Sequence, residues 1–215
     1  MANLFVFDMG GVVSEHCFVW KQICRALGLQ ESDAAEKSSF QGLLHAMERG
    51  EISSMEMLEI IARREHLPPP RENYWASFFA PTLNGATVSL IDDLHKAGER
   101  VVCGTNTVDV HYAYHLAHNH YSCFDAVYAS HLMEQVKPDQ SFWYALRAAE
   151  QARGAGDLVF GDMVFFDDME QNVAAAADLG IRACLFTGAE EARAFIAREC
   201  GLVLAPSGAG RGSPS

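Results

Sequence analysis

Basic residues are scarce in this sequence: 16 Lys and Arg stand against 28 Asp and Glu, a formal net charge of -12 over 215 residues. That deficit removes the clustered positive charge on which nucleic acids and anionic membranes are bound, so neither is expected as a partner. No apolar run is long enough to span a bilayer, and an acid, Asp8, interrupts the N-terminal stretch where a signal peptide keeps its apolar region. The expected location is the cytoplasm. Six cysteines (Cys17, Cys24, Cys103, Cys123, Cys184, Cys200) contain no C-x-x-C pair, and in a chain of this size they read as reduced core residues rather than a disulfide framework. Internal repeats are also absent. What the chain does have is 49% hydrophobic residues, enough for a sizeable core in one domain or one domain carrying an insert.

The most informative stretch is Leu4-Phe5-Val6-Phe7-Asp8-Met9-Gly10-Gly11-Val12-Val13. A short apolar run leading into one carboxylate and a glycine pair reads as a buried strand that delivers Asp8 to a tight turn. A carboxylate so placed is a nucleophile, a metal ligand, or ordinary turn chemistry.

Helical spacing follows. Trp20, Ile23, Cys24 and Leu27 recur at i, i+3, i+4, i+7 and stop at Gly28; Phe40, Leu43, Leu44 and Met47 repeat the pattern and stop near Gly50. Asp33 with Glu36, and Ser53 with Glu56, have capping-box spacing, which starts one helix near 34 and another near 54. A fourth helix is expected over 71–79, between Pro70 and Pro81. Four short helices suit a small bundle inserted as a cap over 15–83. From residue 84 helix and strand alternate: helix to Gly98, strand 100–104, helix 108–118, strand 125–129, helix 139–152, strand 163–166, helix 170–179, strand 181–186 and helix 190–199. Such units build a parallel sheet covered on both faces, so the fold class is α/β, a doubly wound, Rossmann-like sheet of residues 1–14 and 84–204 with an inserted helical-bundle cap. The Gly-, Ser- and Pro-rich tail over 205–215 is expected to be disordered.

Ligands of a doubly wound sheet bind at the carboxyl ends of its strands. Asp8 ends the first strand, Thr105-Asn106 the second and Asp167-Asp168 the fourth, and Lys137-Pro138-Asp139 precedes a helix. Several carboxylates suit a hard cation such as magnesium, which shares its coordination with phosphate. A hydroxyl, an amide and a lysine supply donors to phosphate oxygens, and a carboxylate facing the phosphorus can attack it to give an aspartyl phosphate.

The segments Phe7-Asp8-Met9-Gly10-Gly11-Val12, Gly104-Thr105-Asn106, Val136-Lys137-Pro138-Asp139 and Phe165-Phe166-Asp167-Asp168-Met169-Glu170-Gln171-Asn172 resemble the four ordered motifs of the haloacid dehalogenase-like (HAD) hydrolase superfamily. The resemblance spans roughly residues 3 to 187. It is closest to the branch similar to alpha-D-glucose-1-phosphate phosphatase, including a cap stretch like Glu48-Arg49-Gly50-Glu51-Ile52-Ser53. It implies a magnesium-dependent phosphatase of a small phosphorylated metabolite, with a hexose 1-phosphate favoured. It implies Asp8 as nucleophile and metal ligand, the Gly10 carbonyl and Asp168 as further ligands, and Asp167 close by. Thr105 and Asn106 would hold phosphate, and Lys137 would neutralise charge on nucleophile and phosphate.

One position departs from the superfamily pattern. Most of its phosphatases carry a second Asp two residues after the nucleophile as general acid and base; here that residue is Gly10. Losing such a group costs about 10²- to 10⁴-fold in rate. An anomeric phosphate, with its better leaving group, suffers least from the loss, and Glu15 or His16 is a substitute to test. Two alternatives stay open: a 2-haloacid dehalogenase using Asp8 to displace halide, and a catalytically weak regulator that binds a phosphorylated ligand. His111, His115 and His118 share one helix face with His120 beyond, and are expected on a partly exposed face or channel rim. Tyr74, Trp75, Phe78 and Phe79 read as packing, and Glu190-Glu191 with Arg193 and Arg198 as a solvated helix face. Oligomeric state is not legible.

Overall fold

The computed structural model describes residues 3–29 and 38–204. Its elements run β1 (Leu4–Phe7), β2 (Ser14–Glu15), α1 (Trp20–Leu27), α2 (Ser38–Glu48), α3 (Ser54–Arg64), α4 (Tyr74–Ser77), β3 (Thr82–Leu83) and α5 (Gly85–Lys96). They continue with β4 (Arg100–Thr105), α6 (Asp109–Ala117), β5 (Ala126–Ala129), α7 (Ser130–Met133) and α8 (Gln140–Glu150), and close with β6 (Met163–Asp167), α9 (Glu170–Asp178), β7 (Arg182–Leu185) and α10 (Ala189–Cys200).

Five strands form one parallel sheet in the order β5-β4-β1-β6-β7. The first strand in sequence is therefore the middle one in space, and the chain winds outward from it in both directions. That makes the carboxyl end of β1 the point where the winding reverses, with the ends of β4 and β6 on either side. All four residues of β1 are buried because both faces of the sheet are covered. Phe5 and Phe7 pack with Leu90, Ile91 and Leu94 of α5 and Ile196 of α10; Leu4 and Val6 pack with Phe142, Trp143 and Leu146 of α8 and Ala176 of α9. Burying a side chain of this size contributes about 1.5–3 kcal/mol, so the strand that carries Asp8 is held rigidly on both sides.

Glu150, at the end of α8, is fully buried and takes two hydrogen bonds from Arg100, at 2.5 and 2.9 Å, and one from Tyr128 at 2.5 Å. These partners tie α8 to β4 and β5 and satisfy a charge that burial alone would penalise.

Helices α1 to α4 pack around a third apolar cluster, with Ile23, Leu27, Phe40, Met47, Leu58, Ile61 and Trp75 among its members, which Val108 at the start of α6 also joins. The local signals explain their limits. Gly28 caps α1 in the left-handed conformation, at φ 78°. Ser53 and Glu56 form a reciprocal capping box at the start of α3. The start expected near residue 34, with its Asp33-Glu36 pair, and the tail over 205–215 lie outside the described residues.

Three details differ from the sequence expectation. The helix expected over 71–79 is a single turn, because the Asn73 side chain accepts from the Trp75 N–H and starts the helix three residues after Pro70, and Phe78 already ends it. A two-residue antiparallel ribbon, Ser14 opposite Leu83 and Glu15 opposite Thr82, joins the ends of the helical segment; it is too short to show a period of two in sequence. Arg193 is not on a solvated face: its guanidinium pairs with the buried Asp93 at 2.5 Å, fixing α10 to α5.

Candidate active site

Asp8 leaves the end of β1 with its N–H still bonded to the Phe166 carbonyl at 2.9 Å, so its position is set by the sheet ladder. The chain then turns tightly: the N–H groups of Val13 and Ser14 both reach back to the Met9 carbonyl, at 3.0 and 2.7 Å. Gly11, at φ 77°, is the glycine this turn requires, since a Cβ there would stand 2.1 Å from Asp168 Oδ2. Gly10 is different. Its φ lies outside the left-handed region, and a Cβ would meet only Cys17, at 3.8 and 3.9 Å, an ordinary contact.

Lys137 joins the three strand ends. Its buried ammonium donates to Asp8 Oδ1 at 2.9 Å and to Asp167 Oδ2 at 2.6 Å. Asn106, one residue beyond β4, positions it: the Asn106 amide donates to the Lys137 carbonyl and accepts from the Lys137 N–H, each at 2.8 Å. Both ends of that side chain are thus engaged by backbone. Thr105 is buried beside it, with Oγ1 3.3 Å from the Asn106 carbonyl.

The two adjacent acids at the end of β6 are unequal. Asp167 is fully buried and accepts from Lys137, from the Met169 N–H at 2.8 Å and from the Asn172 amide at 3.0 and 3.1 Å. Asp168 is partly exposed over the turn at Gly11. Asp8, Asp167 and Asp168 each offer a carboxylate oxygen within 4.8 Å of the others, the group among the described residues with the reach to hold a metal ion. Asn172 belongs to the motif stretch quoted from the sequence, but its contact with Asp167 is visible only once the first turn of α9 folds over the strand end.

Burial and acidic neighbours raise the proton affinity of this cluster. Burial pushes the Asp8 carboxyl up to about 7, against the pull of Lys137 and with help from Asp167. Asp168 is raised by burial and by Asp167. Burial disfavours the Lys137 ammonium, but its two carboxylate partners, Asp8 and Asp167, outweigh this and its pKa is raised.

Of the two substitutes for the missing acid, Glu15 is exposed and accepts from the Asn84 amide at 3.0 Å, and His16 is exposed at φ 61°. A third candidate stands in the quoted cap stretch but was given no role from sequence. Glu48, the last residue of α2, is half-buried; burial pushes it up to about 7, and it lies within the electrostatic reach of Lys137, Asp8 and Arg49.

The histidine stripe lies on a partly exposed face, as expected, with His115 buried within it. His111 Nε2 donates to the Trp75 carbonyl at 3.1 Å, and its ring stacks on Phe79 with centroids 3.6 Å apart; His115 is buried, with Nδ1 2.9 Å from His120 Nδ1. The turn carrying Trp75 and Phe79 covers part of this face of α6. Burial lowers His111 to about 4 and His115 to about 3. Only His118 of the stripe is exposed. Tyr74, Trp75 and Phe79 are packing residues, as expected, with Phe78 partly exposed and stacked on Tyr74. The six cysteines are free thiols.

No family model matches the sequence. Solved structures share the fold. A predicted HAD-like family hydrolase from Porphyromonas gingivalis superposes with a TM-score of 0.65 at 24% identity, covering 84% of this chain and 89% of that one. A HAD-family enzyme from Bacteroides thetaiotaomicron, determined in complex with magnesium and inorganic phosphate, gives 0.62 at 22% identity, covering 84% of this chain and 92% of that one. The L-2-haloacid dehalogenase of Xanthobacter autotrophicus gives 0.57 at 16% identity, covering 84% and 76%. The chain has the HAD-like fold. No helix among its described residues is long and apolar enough to cross a membrane.

Proposed function

We propose that this chain is a magnesium-dependent phosphatase of the HAD-like type, acting in the cytoplasm on a small phosphorylated metabolite through an aspartyl phosphate. A sugar phosphate is the favoured substrate, and a hexose 1-phosphate within that class. The observation that carries this reading is that Asp8 and Asp167 meet on the Lys137 ammonium, with an Asp168 oxygen within 4.8 Å of both acids, at the point where the sheet winding reverses.

The residues fit a hard cation. Three clustered carboxylates share one neighbouring ammonium, paired with two of them, so negative charge is in excess, and all the donors are oxygen. Asp8 and Asp168 would hold the ion together with the Gly10 carbonyl, while Asp167, saturated by Lys137, Met169 and Asn172, would stay close by and keep the lysine in place. Magnesium, when bound, supplies charge that screens the phosphoryl oxygens from the acids. Lys137 holds one oxygen of Asp8 and leaves the other to attack phosphorus. Thr105 would donate to the phosphoryl oxygens, and Asn106 serves that group by fixing Lys137. Residues 15–83 would act as a cap over a core of 1–14 and 84–204, excluding water while the phosphoryl group transfers.

The dehalogenase alternative needs the same nucleophile but gives no task to the acidic pair of Asp167 and Asp168. The regulatory alternative is favoured by one observation, the glycine at residue 10. Both are separated from the phosphatase by assaying purified protein with magnesium on a panel of sugar phosphates beside Asp8→Asn. Phosphate release abolished by the substitution supports the reading; ligand binding without turnover in the unsubstituted protein supports the regulator.

A further inference from the structure

We propose that Glu48, carried on the cap, is the general acid and base of the reaction, supplying the carboxylate that residue 10 lacks. This rests on the phosphatase reading above. The junction around Glu48 brings the end of α2 to the loop that carries Lys137. Its neighbour Arg49 donates to Asp139 Oδ2 at 2.7 Å and so fastens the end of α2 to the Lys137-Asp139 loop. The next residue, Gly50, at φ 74°, lies so close to α7 that a Cβ would stand 2.4 Å from the His131 carbonyl oxygen. The chain around Glu48 is thus pressed against the core by residues 90 and 81 positions away in sequence.

The side chain itself is half-buried, and its carboxylate has no hydrogen bond or ion pair among the described residues. Its oxygens keep contact with solvent, which leaves them open to a ligand. The charged groups acting on it are Lys137 and Asp8 from the core and Arg49 from its own segment. Burial and Asp8 raise its pKa to about 7 in spite of the two cations, which leaves both protonation states accessible near neutrality. Glu15, by contrast, is exposed and paired with Asn84.

Protons and bonds balance in two steps. As an Asp8 oxygen bonds to phosphorus, the bond from phosphorus to the leaving oxygen breaks, and protonated Glu48 gives its proton to that oxygen. The resulting Glu48 carboxylate then takes a proton from water as the water oxygen bonds to phosphorus and the acyl-phosphate bond of Asp8 breaks. Phosphate departs, Asp8 is restored and Glu48 is again protonated. Because Glu48 stands on the cap, proton transfer would occur only with the cap seated on the core.

The test uses the full chain with magnesium and Glu48→Gln, measuring kcat/KM on p-nitrophenyl phosphate, a hexose 1-phosphate and a hexose 6-phosphate, whose leaving groups need protonation in increasing degree. The expected loss is under about tenfold for the aryl ester and about 10²- to 10⁴-fold for the hexose 6-phosphate, with the hexose 1-phosphate between. Gly10→Asp, whose Cβ would make only an ordinary contact with Cys17, should recover part of the loss in the Glu48→Gln background. Losses that are equal on all three esters, or absent, overturn the proposal while leaving the phosphatase reading intact. Unsubstituted protein that hydrolyses none of the three overturns that reading and this proposal with it.

Discussion

The Asp168 carboxylate lies directly over Gly11, so close that any side chain at residue 11 would collide with it. Gly11 also holds a left-handed backbone, whereas Gly10 does neither. Gly11→Ala should cost about 1 kcal/mol or more in the backbone and displace Asp168, and a displacement near 1 Å is worth about 10²-fold in turnover. Gly10→Ala should stay within about 0.5 kcal/mol of the unsubstituted protein. Urea denaturation and sugar-phosphate turnover on the two variants check the contrast.

The unequal surroundings of the two adjacent acids give opposite expectations for their amides. Asp168→Asn should leave metal-free stability nearly unchanged and abolish the rise with magnesium, which for one site at 100-fold excess over Kd is about 2.7 kcal/mol. Asp167→Asn should lower metal-free stability by about 1–3 kcal/mol, because the amide keeps only one acceptor oxygen, so either Lys137 or the Met169 N–H loses its buried partner. Thermal unfolding with and without magnesium separates them.

Glu150 sets an acid-side dependence far from the site. Burial opposes its ionisation, but hydrogen bonds from Arg100 and Tyr128 hold its pKa below the ordinary 4.5. A depressed carboxyl contributes stability that is present above its unfolded pKa and lost as pH falls through the folded one. Glu150→Gln should therefore be less stable at neutral pH by about 1–3 kcal/mol, with the difference shrinking below pH 4.5. Denaturant midpoints measured across pH 3 to 7 report it.

The strand ends were legible in sequence because the chemistry there follows short local patterns. Leu4–Phe7 reads as a doubly covered strand, and Asp8, Thr105, Lys137 and Asp167 meet where the β1 winding reverses. Gly28 and the Ser53-Glu56 box mark helix limits by capping chemistry that lies within a few residues. Glu48 was visible in sequence as part of the cap stretch, but its proximity to the site was not. Its approach depends on the Arg49-Asp139 pair and on the close passage of Gly50 past His131, contacts that no periodicity encodes. The half-burial of His111 and the burial of His115 likewise depend on the turn around Trp75 and Phe79, and the task of Asn106 on the Lys137 backbone it brackets.

Asp8 as the phosphoryl acceptor is the point on which the rest depends. The direct measurement is rapid acid quench of the full chain turning over a hexose 1-phosphate labelled at phosphorus, with magnesium present, followed by mapping of the labelled peptide. Base-labile label on the peptide containing Asp8, absent from Asp8→Asn together with turnover, is the expected result. Steady phosphate release with no label on that peptide, or turnover that survives Asp8→Asn, would contradict it.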